Sequence, residues 1–269
     1  MEGKYYLFNP EEILQVLGVE EGQVFCKQYD ITEQGNFEGS NIPNLLKCDN
    51  AVIKENLITA QKKKLMDYRT SRTFLHTDDK ILTAWNGMMI SALARAYKVF
   101  GDRRYLDEAE KAATFIQTKL TKKDGSLRVR YRKGEGAGNG FLDDYAYFIW
   151  GLIELYQTSF KVMYLQNALD LNYRMIKDFW DEDEGGFFLT SNESEPLIHR
   201  PKETYDGATP SGNSVAAYNL VRFLEIMGDD SELKNMAESQ LQFLNKEIVE
   251  YPAGHSFTLL ALSLYLKDR

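Results

Sequence analysis

Residues 81–100 read ILTAWNGMMISALARAYKVF, and apolar or small side chains occupy nearly every position of this stretch. A helix with that composition is usually buried on most of its sides. The segment that follows, residues 105–120, is different, because its apolar residues recur with the helical period and its charged residues occupy the opposite face. That pattern predicts a surface helix with one buried stripe. Together the two segments predict a helical hairpin with an inner and an outer helix.

The same hairpin pattern recurs along the chain. Residues 141–158 and 211–227 are mostly apolar, residues 163–180 and 233–248 are amphipathic, and residues 254–266 begin a further buried helix. The connections at 123–129 and 183–189 each combine a turn with a short strand. A unit of inner helix, outer helix and short strand that repeats every ~60–70 residues is typical of repeat architectures.

This repeat predicts an all-α fold. We expect a ring of helical hairpins of the (α/α)6-toroid type, as in six-hairpin glycosidases, that is incomplete in this chain. Short β-hairpins are expected in the connections, and one toroid domain is expected over residues 1–269. An open solenoid is the competing arrangement of the same hairpins.

The beginning of the chain looks like the end of such a repeat unit. Residues 2–8, EGKYYLF, match the glycine-then-strand tail of a unit whose helices would precede them. A short helix is expected over residues 10–18, with Pro10 in its first turn, and a long one from Asp49 to about Ser71. We therefore expect the chain to start inside a larger repeat protein, and we expect self-association through the open edge of the toroid.

Composition and charge exclude several classes of function. The chain carries 32 basic and 40 acidic residues, and its net charge of −8 argues against a general nucleic-acid binder. Charged residues interrupt the apolar runs well before the ~18 residues that a membrane span needs, and the first residues lack the apolar core of a secretion signal. The two cysteines, Cys26 and Cys48, favour a reducing cytoplasm. Without paired histidines they predict no metal site, and no cofactor is expected.

Polar residues gather where each of the four predicted inner helices begins. In a ring of hairpins these ends meet at one mouth of the barrel, where free backbone N–H groups and the positive ends of the helix dipoles also point. Carboxylates, hydroxyls and a histidine collected there would suit a polyhydroxylated ligand, and histidine is a common general acid or base near neutral pH. The candidate catalytic residues are His76, Asp79, Asp143, Asp144 and His255, and the candidate ligand-binding residues are Asp78, Lys80, Trp85, Asn86, Tyr145, Asp206, Ser211 and Asn213.

Each cluster also has a purely structural interpretation. An Asp at a helix start is most often an N-cap, the hydroxyl-rich residues 211–214 also suit a tight turn, and Trp85 is compatible with core filling. Adjacent Asp residues at 78–79 and 143–144 favour more than capping, since one cap needs a single carboxylate. His199 lies in a polar stretch and is interpreted as a surface residue.

At these clusters the chain resembles a known family. The segments that carry the resemblance are EGKYY (2–6), GNFEG (35–39), DDKILTAWN (78–86), GFLDDYA (140–146), YDGATPSGNS (205–214) and YPAGH (251–255). They are similar to the thioredoxin-domain-containing proteins typified by spermatogenesis-associated protein 20 and its bacterial YyaL-like relatives. The resemblance implies an N-terminal thioredoxin-like domain, then a six-hairpin α/α toroid related to N-acylglucosamine 2-epimerase and to glycoside hydrolases. This chain matches only the later part, without the thioredoxin-like domain and the first hairpins.

The resemblance implies a type of pocket rather than a substrate. In related epimerases histidines move a proton beside a sugar carbonyl, a role open to His76 and His255. In related hydrolases two carboxylates handle protonation and attack by water, a role open to Asp79, Asp143 and Asp144. The leading hypothesis is therefore a carbohydrate-binding or carbohydrate-processing toroid with a small sugar-like ligand. The alternatives are a non-catalytic module that binds a partner or client of a thioredoxin-like domain, and a fragment without independent activity.

Overall fold

A computed structural model describes residues 3–47, 55–195, 197–228 and 230–267 of the chain. The chain divides into two compact units, Met1–Asp78 and Asp79–Arg269. The expectation of one domain over residues 1–269 stays a prediction. Glu2, Cys48 and Asp49, on which some of the expectations above fall, lie outside the described residues.

The first unit holds the helices α1 (Pro10–Leu17), α2 (Val19–Gln28) and α3 (Glu55–Arg72). Helix α1 begins as the sequence predicts, with proline in its first turn and a reciprocal cap between Asn9 and Glu12. Apolar side chains from these helices and the segments beside them form the core of the unit: Phe8, Ile13, Leu17, Phe25, Tyr29, Ile31, Ile58 and Leu65.

The expected strand at the beginning of the chain does not form within the described residues. Residues 3–6 make a turn instead, in which the Tyr6 N–H donates to the Gly3 carbonyl at 2.8 Å. Gly3 has φ +73°, a left-handed conformation that bends the chain away from an extended path. Sheet-like pairing in this segment is limited to one bridge between Phe8 and Asn41.

The second unit is a series of helical hairpins, as the sequence predicts. Its helices are α4 (Thr83–Phe100), α5 (Arg103–Phe115), α6 (Leu142–Ser159), α7 (Val162–Phe179), α8 (Gly212–Met227), α9 (Ser231–Glu250) and α10 (Ser256–Lys267). A π-helical turn, Ile116–Leu120, extends α5, and a 3-10 turn, Pro252–Gly254, precedes α10. Asp102 and Asp230 begin α5 and α9 by accepting hydrogen bonds from backbone N–H groups of the first helical turn.

The helices of the second unit form two layers. Helices α4, α6, α8 and α10 pack side by side in chain order as the inner layer, while α5, α7 and α9 each pack on the inner helix that precedes them. Helices α4 and α6 approach so closely that a Cβ atom at Gly87 would lie 2.5 Å from the carbonyl carbon of Tyr147. Apolar side chains of both layers form two neighbouring core clusters, and Phe148, Phe179 and Phe223 are almost completely buried in the larger one. This is the α/α-toroid type of fold that the repeat pattern predicts.

The first and last inner helices are less buried than their composition predicts. Helix α4 exposes Trp85, Met89 and Val99, and α10 exposes Leu260 and Leu266. Within the described part of the chain, α4 has its inner-layer neighbour on the α6 side and α10 has its neighbour on the α8 side. The expectation of burial on most sides is therefore wrong for these two helices, because each forms an edge of the layer.

Short strands join the hairpins, although not all where the sequence predicts them. Strands β1 (Ile81–Leu82), β2 (Arg130–Arg132) and β3 (Glu135–Ala137) form an antiparallel sheet in that order, with Tyr131 opposite both Ile81 and Gly136. At 123–129 the predicted turn forms at residues 123–125, but the pairing that follows it is limited to a bridge between Thr121 and Leu127, and the strand begins only at Arg130. At 183–189 pairing is limited to a bridge between Trp180 and Phe187. Among the described helices, none combines the length and apolarity that a bilayer crossing requires.

Candidate functional site

Asp144 joins the beginnings of α4 and α6. Its Oδ1 accepts a hydrogen bond from the Ala84 N–H at 2.9 Å, and its Oδ2 accepts one from the Phe141 N–H at 2.9 Å. The side chain is almost completely buried. Both oxygens of this carboxylate therefore satisfy backbone donors that a helix start leaves without intrahelical partners.

Asp143, the neighbouring residue, joins the beginnings of α6 and α8. Its carboxylate accepts a hydrogen bond from the backbone N–H of Gly212, the first residue of α8. A Cβ atom at Gly212 would collide with Oδ1 of Asp143, so this approach requires glycine. One helical turn further along α6, the Tyr147 hydroxyl donates to the Pro210 carbonyl.

Asp206 joins the beginnings of α8 and α10 in the same way. Its Oδ1 accepts from the Ser211 N–H at 2.8 Å and its Oδ2 accepts from the Phe257 N–H at 2.7 Å. The hydroxyls of Ser214 and Thr258 are also hydrogen-bonded, at 2.7 Å. The beginnings of α4, α6, α8 and α10 are thus linked in sequence, so the polar clusters of these helices lie at one end of the inner layer.

His255, at the beginning of α10, has an unused ring nitrogen. The side chain is 4 % exposed, and its Nδ1 lies 2.9 Å from the Tyr251 carbonyl oxygen. Because a carbonyl can only accept, Nδ1 carries the hydrogen in this arrangement, and in a neutral ring Nε2 is then the acceptor. Nε2 is buried and has no hydrogen-bond partner among the described residues. Buried polar atoms without a protein partner are uncommon, so Nε2 of His255 is a candidate functional atom.

Tyr205 and Tyr251 form an exposed aromatic surface beside His255. Their rings are parallel with centroids 6.4 Å apart, and their exposed fractions are 57 % and 55 %. Gly254 lies between them, since a Cβ atom there would fall within 2.8 Å of both rings. The Tyr205 ring also lies edge-on to His255, at 6.3 Å between centroids. The sequence candidates omitted both tyrosines, although each lies in a cluster that begins an inner helix.

The carboxyl groups of Asp143 and Asp144 hold their protons to higher pH than a free aspartic acid does. Burial raises the pKa of Asp144 to about 7, even though the hydrogen bonds from Phe141 and Ala84 act to lower it. Burial also raises the pKa of Asp143, and the nearby Glu203 adds to the effect, while the Gly212 N–H opposes it. Carboxyl groups with raised pKa values are suited to proton donation near neutral pH.

Most of the other predicted ligand-binding residues have structural roles. Asn213 is buried and fixes two preceding segments, donating to the Phe187 and Glu203 carbonyls at 2.9 Å each. Ser211 caps α8 by accepting the Ser214 N–H at 3.1 Å. The remaining members of this group behave likewise, since the buried Tyr145 hydroxyl accepts the Leu127 N–H and the Asn86 side chain donates to the Leu82 carbonyl.

The remaining candidates are at the surface or in the first unit. Trp85 is 65 % exposed, so the core-filling interpretation of this residue is wrong. Asp79 pairs with Arg132, whose hydrogen bond lowers the pKa of Asp79, and Lys80 is exposed. His76 and Asp78 belong to the first compact unit. No group of three or more His, Cys, Asp or Glu side chains among the described residues is arranged to hold a metal ion.

Comparison with known sequences relates the chain to one family and to one domain type. It is 34 % identical to human spermatogenesis-associated protein 20 over 259 residues and 32 % identical to the mouse protein over 265 residues. These matches cover 82 % and 84 % of the chain but 33 % and 34 % of the two relatives, so the chain spans about a third of their length. Residues 62–171 match the family described as D-glucuronyl C5-epimerase C-terminus.

Comparison with solved structures relates the fold to carbohydrate-active enzymes. Cellobiose 2-epimerase from Bacillus thermoamylovorans superposes with a TM-score of 0.54 at 14 % identity, covering 65 % of this chain and 47 % of that one. A family 76 α-mannanase from Bacteroides thetaiotaomicron gives 0.52 at 13 % identity, covering 72 % and 56 %. An inactive α-1,6-mannanase variant from Salegentibacter, with two adjacent aspartates changed to asparagine, gives 0.50 at 13 %, covering 71 % and 54 %. At these identities the likeness concerns the fold.

Proposed function

Because this chain belongs to the spermatogenesis-associated protein 20 family and folds as part of an α/α toroid, we propose that the shared end of its inner helices is a carbohydrate-processing site. The observation that carries the proposal is that Nε2 of His255 is buried and has no hydrogen-bond partner among the described residues, at the same end of the inner layer as Asp143. Burial raises the pKa of Asp143, so its carboxyl group keeps its proton to a higher pH than a free aspartic acid does. The structural neighbours support a carbohydrate ligand, since they are sugar epimerases and glycoside hydrolases.

The residues at this end divide into reacting groups and supporting groups. His255 accepts a proton at Nε2, and its Nδ1–H bond to the Tyr251 carbonyl holds the ring in the tautomer that this requires. Asp143 donates a proton to a sugar oxygen. Asp144 and Asp206 accept hydrogen bonds from backbone N–H groups of neighbouring inner helices. They therefore fix the beginnings of these helices relative to one another and position the reacting groups.

The aromatic surface supplies the binding contact. The exposed faces of Tyr205 and Tyr251 beside His255 suit the apolar face of a sugar ring. The ligand is a small sugar or the end of an oligosaccharide. No cofactor enters the proposed reaction, and the proposed location is the cytoplasm.

The mannanase comparison supports a role in the proposed reaction for a pair of adjacent aspartates. The Salegentibacter variant is inactive with two adjacent aspartates replaced. In this chain the adjacent pair Asp143 and Asp144 stands at the beginning of an inner helix. Asp143 is the reacting member of the pair here, because both oxygens of Asp144 are occupied by backbone donors.

The test combines binding and chemistry on the 269-residue chain. Cellobiose, α-1,6-mannotriose and a glucuronate disaccharide are each incubated with the protein in D₂O and followed by NMR. Epimerase-like chemistry incorporates deuterium at the carbon beside the carbonyl, whereas hydrolysis produces new reducing ends. We expect His255→Gln to abolish proton exchange and Asp143→Asn to abolish hydrolysis, with His199→Gln, an exposed histidine, as the matched control.

A further variant separates binding from chemistry. Tyr205→Ala with Tyr251→Ala is expected to weaken sugar binding about tenfold, in line with the loss of about 1.4 kcal/mol of ring contact. Absence of saturation transfer from the protein to any of the three sugars would overturn the proposal. So would full activity of the His255→Gln and Asp143→Asn variants.

A second candidate function is a non-catalytic module that binds a partner or client of a thioredoxin-like domain. The observation in its favour is that Asp144, Asp206 and Asn213 all use their side chains to hold the backbone. On this hypothesis the chain binds none of the three sugars. It would instead retain a thioredoxin-like domain or its substrate in a pull-down with purified components.

A further inference from the structure

The first unit contains a cavity that the proposed sugar site does not involve. It has a volume of about 260 Å³. Its floor consists of Phe8, Phe25, Tyr29 and Leu65, which are core residues with exposed fractions of 6 % or less. The Phe25 and Tyr29 rings are stacked, with centroids 4.3 Å apart. The two rings cover each other's faces, so the bottom of this open depression is apolar and aromatic.

The rim of this cavity is positively charged. Lys62 and Arg69 line it, and none of its lining residues is acidic. The Lys62 Nζ lies 5.6 Å from the centre of the Tyr29 ring, and the Arg69 guanidinium lies 4.6 Å from the centre of the Tyr5 ring. Both cations thus stand over aromatic rings rather than beside carboxylates.

Three acidic side chains of the first unit pair with cations outside the cavity lining. Glu12 pairs with Arg72 at 2.6 Å, Asp30 with Lys47 at 3.1 Å and Glu21 with Lys64 at 3.9 Å.

Arg69 is also short of hydrogen-bond partners. Its Nε is buried without a partner among the described residues, and its Nη2 donates only to the sulfur of Met66, at 2.8 Å. Sulfur is a weak acceptor, so the guanidinium has unused donor capacity at the mouth of an apolar cavity.

We propose that this cavity binds an aromatic carboxylate, with its ring on the Phe25–Tyr29 floor and its carboxylate on Arg69 and Lys62. Arginine donates to carboxylates through charge-assisted hydrogen bonds, which are stronger than neutral ones. A volume of 260 Å³ is just below the ~300–1,000 Å³ of pockets for drug-sized ligands, so it suits one ring system with a short acidic side chain. The site is independent of the sugar chemistry proposed for the second unit.

The same chemistry occurs in a free small acid and at the C-terminus of a peptide that ends in an aromatic residue. The experiment distinguishes the two sources. Indole-3-acetate is titrated into the 269-residue chain by calorimetry, beside a tetrapeptide ending in Trp and the same peptide with an amidated end. A small-molecule site binds indole-3-acetate at least tenfold more tightly than the peptide, whereas a chain-end site prefers the free-ended peptide.

Neutral and non-aromatic probes test each half of the proposal. Indole-3-ethanol lacks the charge and cyclohexylacetate lacks the aromatic ring, and each is expected to bind at least tenfold more weakly than indole-3-acetate. Arg69→Gln is expected to weaken indole-3-acetate binding at least tenfold while leaving indole-3-ethanol binding unchanged. Met66→Trp, which places a large ring at the cavity wall, is expected to block both probes.

The control variant is Lys63→Gln, which removes an exposed lysine next to Lys62 on α3. It is expected to leave every affinity unchanged. Thermal unfolding of each variant separates loss of binding from loss of folding. Equal affinity for the acid and the alcohol, an unchanged affinity in a folded Arg69→Gln variant, or no binding of either acid at millimolar concentration would each overturn the proposal.

Discussion

Replacing Asp144 by asparagine tests how the inner helices are held together at their beginnings. The carboxyl of Asp144 is buried, and its pKa is raised from 3.8 to about 7. One pKa unit corresponds to about 1.36 kcal/mol, so a shift of this size corresponds to about 4 kcal/mol. The asparagine side chain would retain an acceptor for one backbone N–H and would not titrate.

The sign of the pH dependence follows from the direction of this shift. The folded-state pKa lies above the unfolded one, so the folded protein binds this proton more tightly. The contribution of Asp144 to the free energy of unfolding is therefore fully present below about pH 4 and is lost as the pH rises to about 7. The free energy of unfolding of the wild type minus that of Asp144→Asn is expected to fall by about 4 kcal/mol between about pH 4 and pH 8.

The measurement is urea-induced unfolding followed by circular dichroism at half-unit pH steps and constant ionic strength. Asp102→Asn is the control, because Arg104 holds the pKa of Asp102 below 3.8 and its pH-dependent contribution therefore lies below about pH 4. A constant difference between wild type and Asp144→Asn over this range would refute the reasoning. A difference that rises with pH would show that the two N–H donors outweigh burial.

Three further predictions concern packing and surface. Gly87→Ala is expected to lower the free energy of unfolding by about 1–3 kcal/mol, because the new methyl group meets the α6 backbone; denaturant unfolding measures it, and unchanged stability contradicts it. Glu154→Gln is expected to cost about 1–3 kcal/mol, since it removes the buried carboxylate 3.3 Å from the mostly buried Arg222, which keeps Glu225 at 3.0 Å; partial recovery by Glu154→Met with Arg222→Met is the check. We propose that the chain self-associates through the exposed apolar side chains of α4. The double variant Met89→Glu with Val99→Glu is then expected to be a monomer in light scattering, with its helix content retained, where the wild type is a dimer. A wild type that is already monomeric contradicts this.

Local sequence patterns were sufficient to predict the hairpins. Residues 81–100 and 141–158 are apolar nearly all round, and this property belongs to each helix whatever its neighbours are. The connections were predicted less well, because short strands depend on a partner. Residues 183–189, for example, find only the bridge between Trp180 and Phe187.

The sequence by itself determined that polar residues begin each inner helix, and the repeat implied that these beginnings share one end. Only the tertiary structure decided which side chains remain available there. Asp144 accepts a hydrogen bond from the Ala84 N–H and Asp206 accepts one from the Phe257 N–H, whereas Nε2 of His255 has no hydrogen-bond partner among the described residues. The physical reason is that a hydrogen-bond partner is selected by distance in space. These donors lie 60 and 51 residues away along the chain, so no local pattern could identify them.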